Sequence, residues 1–104
     1  MAHAVRTRYV AECFWDGVRE EDLHDVGYRI EASLVAVAGD GEPTRYLGGL
    51  LVIDDEVVLL AFEGPMGVVR RVVDHAQLPV GRILRVAYAR WPNRPTDDPT
   101  DEEK

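Results

Sequence analysis

The sequence predicts a small α+β domain whose elements follow the order strand, helix, strand, strand, helix, strand. Three observations carry this prediction. A hairpin at residues 45–63 has two strands that are apolar on both faces. Apolar residues recur every three or four positions over residues 20–38, and a shorter stripe of the same spacing covers residues 68–76. With 46% hydrophobic residues in a chain of 104, the composition supports one folded core.

The first strand and the first helix are the earliest predicted elements. Residues 8–15 are rich in aromatic and β-branched side chains, which favour a strand, and Asp16 with Gly17 ends it. The helix at residues 20–38 begins with three acidic residues, which favour the positive end of the helix dipole. Glycine and proline at residues 39–43 end it. Its apolar stripe consists of Leu23, Val26, Ile30, Leu34 and Val37.

The hairpin is predicted to turn at Asp54 and Asp55. Successive side chains of a strand point to opposite faces, so this turn assigns every hairpin residue to a face. Both faces come out apolar, whereas an antiparallel sheet in a monomer normally exposes one polar face. The second apolar face therefore indicates a partner. One of the two faces would carry Tyr46, Gly48, Leu50 and Val52 beside Val57, Leu59, Ala61 and Glu63.

The second helix and the last strand complete the fold. The helix at residues 68–76 is predicted although β-branched residues are weak helix formers, because a strand there would bury Arg70, Arg71 and Asp74. Residues 82–90 form the final strand, followed by Trp91. This order is the ferredoxin-like βαββαβ arrangement, a four-stranded antiparallel sheet with both helices on one face. The uncovered face predicts sheet-to-sheet packing with a second copy, as in a dimeric α/β-barrel.

Composition also bounds the domain and its surroundings. We expect a mobile N-terminus at residues 1–7, a folded domain at 8–91, and a disordered tail at 92–104, where three prolines and five acids occur without an apolar residue. A net charge of −7 argues against a nucleic-acid partner, and no apolar run approaches the roughly 18 residues of a membrane span. The single Cys13 excludes an internal disulfide, so we expect a cytoplasmic protein.

Three stretches, at residues 17–23, 55–65 and 76–83, resemble domain of unknown function 4242. This family of small ferredoxin-like proteins includes a nickel-binding dimer, and the similarity covers about residues 8–88. It implies the same fold and makes nickel a possible cofactor. The sequence departs from the family where metal ligands would be expected, since nickel prefers histidine. Leu60 replaces a usual Cys, Val73 lies near a usual His, Gln77 replaces a usual Gly, and Phe14, Trp15 and Asp16 stand where the metal-binding member carries His. We therefore assign no metal ligand and predict no cofactor.

Glu12, Tyr46 and Glu63 are the candidate residues of a ligand pocket. We expect the first and third strands to be a parallel central pair, which would bring Glu12 and Glu63 to the same edge of the sheet. They could form a carboxylate pair with a raised pKa, suited to acid–base chemistry or a cation. Alternatively, they are two rim acids, solvated or bonded to helix-start amides. Tyr46 is expected near Glu63 across the hairpin.

The remaining histidines and the cysteine do not indicate a functional site. His24 and His75 are expected to be surface histidines, and Cys13 a small buried hydrophobe. We assign no catalytic residue. Three functions stay open: a non-enzymatic homodimer with a binding or association role, which we favour; a small-ligand or metal-binding protein that uses a cavity between sheets; and a dimeric-barrel enzyme, which rests on fold analogy alone.

Overall fold

The computed structural model describes residues 7–37 and 43–87, in which all six predicted elements occur in the predicted order. The ferredoxin-like fold is confirmed: four strands form one antiparallel sheet in the order β2-β3-β1-β4. Residues 1–6, the tail at 92–104, Trp91 and the predicted end of the last strand lie outside the described residues. The elements are β1 (Arg8–Phe14), α1 (Glu20–Val37), β2 (Arg45–Val52), β3 (Val57–Glu63), α2 (Met66–His75) and β4 (Val80–Val86).

The central strands β1 and β3 are antiparallel, so the expected parallel pair is wrong. Arg8 lies opposite Glu63, and Phe14 lies opposite Val57. The reason is topological. The crossover through α1 makes β2 run in the same direction as β1, and the following hairpin reverses the chain before β3 enters between them. The C-terminal ends of β1 and β3 therefore lie at opposite ends of the sheet.

The hairpin differs from its prediction at both ends. The turn takes four residues, 53–56, and Val52 lies opposite Val57. A two-residue hairpin turn would need positive φ at one central position (type II′) or at both (type I′), which favours pairs that contain glycine over Asp-Asp. At the other end, a β-bulge between Tyr46 and Gly48 shifts the register by one residue. Gly48 accommodates this bulge with a φ of 134°, a backbone conformation that residues with a side chain rarely adopt.

The β-bulge moves Tyr46 to the face that the helices cover. Tyr46 lies opposite Phe62 instead of alternating onto the face of Glu63, and the two rings are 5.4 Å apart between centroids. The prediction that Tyr46 shares a face of the sheet with Glu63 is therefore wrong. One extra residue in a strand reverses the direction of every side chain beyond it, because the side-chain period of a strand is two.

The core lies between the sheet and the two helices. Leu60 and Val73 are both buried in this core. Leu60 stands where the resembled family usually has Cys, and Val73 lies near its usual His. Cys13 is buried as expected, and burial, with a smaller effect of Glu12, raises the pKa of its thiol to about 11. Neither described helix is long and apolar enough to cross a membrane. The fully enclosed residues are Ala11, Cys13, Val26, Ile30, Val58, Leu60, Phe62, Val69, Val72 and Val73.

The C-terminus of α2 is closed by a Schellman motif. The amide of Leu78 donates to the carbonyl of Val73 at 3.2 Å, and the amide of Gln77 donates to Asp74 at 3.1 Å. Arg29 of α1 donates to the carbonyl oxygens of Ala76 and Gln77, which ties the two helices together. A cation at this position also complements the negative end of the helix dipole.

We expect Gln77→Gly to stabilise the protein. Gln77 has a φ of 57°, a left-handed conformation that costs a residue with a side chain about 1 kcal/mol more than glycine. Chemical denaturation at fixed protein concentration should show a gain of about that size. Gln77→Ala, which keeps the left-handed strain, is the matched control and should show no comparable gain. Equal stability of the two variants would contradict this account.

Candidate functional site

The face of the sheet opposite the helices, which we call the open face, has an apolar centre. Its side chains alternate with those of the core and come from all four strands. Leu50 is 59% exposed and Phe14 is 60% exposed, and the remaining side chains are partly exposed. The apolar residues of the open face are Val10, Phe14, Leu50, Val52, Val57, Leu59, Ala61, Leu84 and Val86.

One end of the open face carries a carboxylate held between two guanidinium groups. Nε of Arg8 lies 3.2 Å from Oε2 of Glu63, and a terminal nitrogen of Arg45 lies 3.5 Å from Oε1. Glu63 is only 6% exposed. Cross-strand pairing produces this arrangement, because Arg8 and Arg45 both lie directly opposite Glu63. A nearly buried carboxylate requires such partners.

A second ion pair lies beside the apolar centre of the open face. Nε of Arg82 lies 2.6 Å from Oε1 of Glu12, and the two residues are cross-strand neighbours. Glu12 lies opposite Leu59, four residues before Glu63, so the backbone positions of the two glutamates are separated by about 13 Å along the strands. The expected meeting of Glu12 and Glu63 at one edge is therefore wrong. Each pairs with arginine, a partner that the sequence analysis did not assign.

A cleft on the helix side of the sheet contains the remaining candidate, Tyr46. It lies between α1 and the edge strand β2, and its volume is about 380 Å³. Tyr46 lines it, whereas Glu12 and Glu63 belong to the open face, so the three candidates do not form one pocket. The lining residues are Leu23, His24, Gly27, Tyr28, Glu31, Tyr46, Gly48 and Gly49.

The helical wall of this cleft was not predicted from the sequence. His24, Tyr28 and Glu31 have the i, i+4, i+7 spacing of one helix face, which is the signal that could have revealed it. His24 and His75 are both exposed, as expected. Nδ1 of His75 lies 2.9 Å from Oγ of the buried Ser33, a contact that joins α2 to α1.

Tyr46 is held in the cleft by packing. Its ring contacts Phe62, and an added Cβ on Gly27 would come within 4.0 Å of it. The Tyr46 hydroxyl passes over Gly49, where a side chain would collide with it at 2.8 Å. Burial raises the pKa of this hydroxyl, and the Glu31 carboxylate adds to the effect. The Tyr46 hydroxyl thus stays neutral at physiological pH and can donate or accept a hydrogen bond.

Metal-ligating side chains do not cluster in the described part of the chain. Within residues 7–37 and 43–87, no group of three His, Cys, Asp or Glu residues is arranged to hold an ion. The carboxylates of Glu12 and Glu63 are engaged by arginines.

The fold and the two surfaces define a small ferredoxin-like protein with one helix-covered and one open sheet face. The crystal structure of SCO4226 from Streptomyces coelicolor A3(2) has the same fold, with a TM-score of 0.64 and 16% sequence identity. The similarity covers 80% of this chain and 99% of SCO4226. A scan against known protein families finds no match, and a search of curated proteins finds no significant relative.

Proposed function

We propose that this protein is a non-enzymatic association module that forms a homodimer through the open face of its sheet. The apolar centre of that face carries the proposal. Leu50 and Leu59 are cross-strand neighbours at this centre, and Val10 and Ala61 continue it. Burying such a surface removes apolar area from water, which is the main driving force of protein association.

The dimensions of the open face support a second copy as its occupant. Its strands have seven or eight residues. Four strands about 4.8 Å apart, with a rise of roughly 3.3 Å per residue, cover about 19 by 23 Å. Two such faces together have a projected area of about 870 Å², and protruding side chains bring the buried area toward the roughly 1,200–2,000 Å² of stable interfaces.

The charges on the open face are compatible with this interface. Glu63 and Glu12 already have arginine partners within their own chain, so covering them leaves no unpaired carboxylate. Arg45 lies on the edge strand, and its side chain is largely exposed, so its charge can remain hydrated at the rim. The same pairing supports association over catalysis, because arginines occupy the carboxylates that an acid–base mechanism would need.

Two further observations fit the proposal. The resemblance to domain of unknown function 4242 favours a dimer, since that family includes one. A cytoplasmic location is consistent with a single buried thiol that needs no oxidising compartment.

The oligomeric state tests this proposal directly. Light scattering coupled to gel filtration, at micromolar concentration, should give about twice the 11.7 kDa of one chain. Because association depends on concentration, serial dilution followed by sedimentation should shift the mass toward one chain. A mass of one chain at every concentration would refute the proposal.

A further inference from the structure

We propose that the cleft between α1 and β2 is a binding site for a small organic cation that carries an aromatic ring. This site is independent of the proposed homodimer, because its walls come from α1 and the edge strand and not from the apolar centre of the open face. The shape of the cleft, its charge and its aromatic side chains support such a ligand.

The shape of the cleft suits a flat group. Gly48 and Gly49 line it next to the β-bulge, and a Cβ added to Gly48 would meet no atom within 4 Å, so the strand is open there, whereas the Tyr46 hydroxyl lies over Gly49. Leu23 adds an apolar contact at the base, since it packs close to Gly49. A volume of about 380 Å³ lies in the lower part of the range found for small-molecule sites, roughly 300–1,000 Å³. One ring with a short side chain fits this space.

The charge of the cleft selects a cation. Glu31 contributes a carboxylate, and neither lysine nor arginine lines the cleft. Burial is the main cause of the raised pKa of the Tyr46 hydroxyl, and the Glu31 carboxylate, which lines the same cleft, raises this pKa further. The imidazole of His24 also lines the cleft. An anionic ligand would meet the Glu31 carboxylate with no lysine or arginine to compensate it, whereas an ammonium group would be attracted to it.

The aromatic side chains of the cleft also favour a cationic ligand. Tyr28 from α1, which is 78% exposed, and Tyr46 from β2 both line the cleft. The faces of tyrosine rings attract ammonium and guanidinium groups through cation–π interactions, and the rings also stack on a planar ligand. The Tyr46 hydroxyl offers a neutral hydrogen-bonding group beside them.

The test compares three probes of similar shape and different charge. Benzylamine, benzyl alcohol and benzoate are titrated into the isotopically labelled full chain, at a mildly alkaline pH at which benzylamine remains a cation. Amide resonances are followed by two-dimensional NMR. Benzylamine should produce saturable shifts at Gly27, Gly48 and Gly49 at millimolar concentration. Benzyl alcohol should bind about fivefold more weakly, and benzoate should produce no saturable shift.

A pair of variants then tests the role of charge. Glu31→Gln keeps the shape of an exposed side chain and removes its charge, so the affinity for benzylamine should fall about fivefold, to that of benzyl alcohol. Glu20→Gln changes another exposed glutamate of α1 outside the cleft and should leave the affinity unchanged. Equal binding of all three probes, shifts that spread over the open face, or an unchanged affinity in Glu31→Gln would each overturn the proposal.

Discussion

Replacing Leu59 by lysine is expected to convert the proposed dimer into a monomer. Leu59 lies on a central strand in the middle of the open face, between Glu12 and Leu50. In the monomer the new ammonium group can reach water and Glu12, so the fold is retained. In the dimer each copy would lose about 2 kcal/mol of apolar burial and desolvate a charge, so the Kd should rise roughly a thousandfold. Sedimentation equilibrium measures this change.

Val35→Lys is the matched control for this experiment. Val35 is 79% exposed on α1, so the same exchange of an apolar side chain for a charge occurs away from the sheet. The control should remain as dimeric as the unaltered protein. Circular dichroism should show the same secondary structure in both variants. If Leu59→Lys remains a dimer, or if Val35→Lys becomes a monomer, the interface does not lie on the open face.

Phe62→Ala is expected to lower the free energy of unfolding by about 3–5 kcal/mol. Phe62 is fully buried on the central strand β3, packs on the ring of Tyr46, and has the largest volume among the fully buried side chains of the described residues. Its removal leaves a cavity that the rigid sheet cannot close. Since small domains are stable by about 5–15 kcal/mol, this loss would bring the protein close to unfolding.

The measurement is best made in the Leu59→Lys background, because dissociation of a dimer would otherwise contribute to the apparent stability. Urea denaturation of Leu59→Lys and of the double variant Leu59→Lys, Phe62→Ala then measures the free energy of unfolding of the monomer alone. Tyr28→Ala removes another aromatic ring at an exposed position and should cost about 0.5 kcal/mol or less. A loss below about 1 kcal/mol in Phe62→Ala would show that the side chain is not tightly enclosed.

The amino-acid sequence was sufficient to predict the order of the elements and most of their bounds. The helix expected at residues 20–38 is α1 at Glu20–Val37, and the one expected at 68–76 is α2 at Met66–His75. This success has a local cause, since helical periodicity and turn residues act over a few neighbouring positions. The two-sided hydrophobicity of the hairpin is also visible in sequence, because alternation within a strand needs no information from other elements.

The arrangement of the candidate residues was decided by the tertiary structure alone. Glu12 and Glu63 lie far apart because β3 enters the sheet antiparallel to β1, and pairing across strands determines which arginine each carboxylate meets. Tyr46 lies in the α1–β2 cleft because of a one-residue bulge. These placements depend on pairing between residues that are distant in sequence, and a shift of one residue reverses the face of a side chain. Thus the sequence by itself determined the elements and their two-faced hydrophobicity, and strand register decided where the polar groups meet.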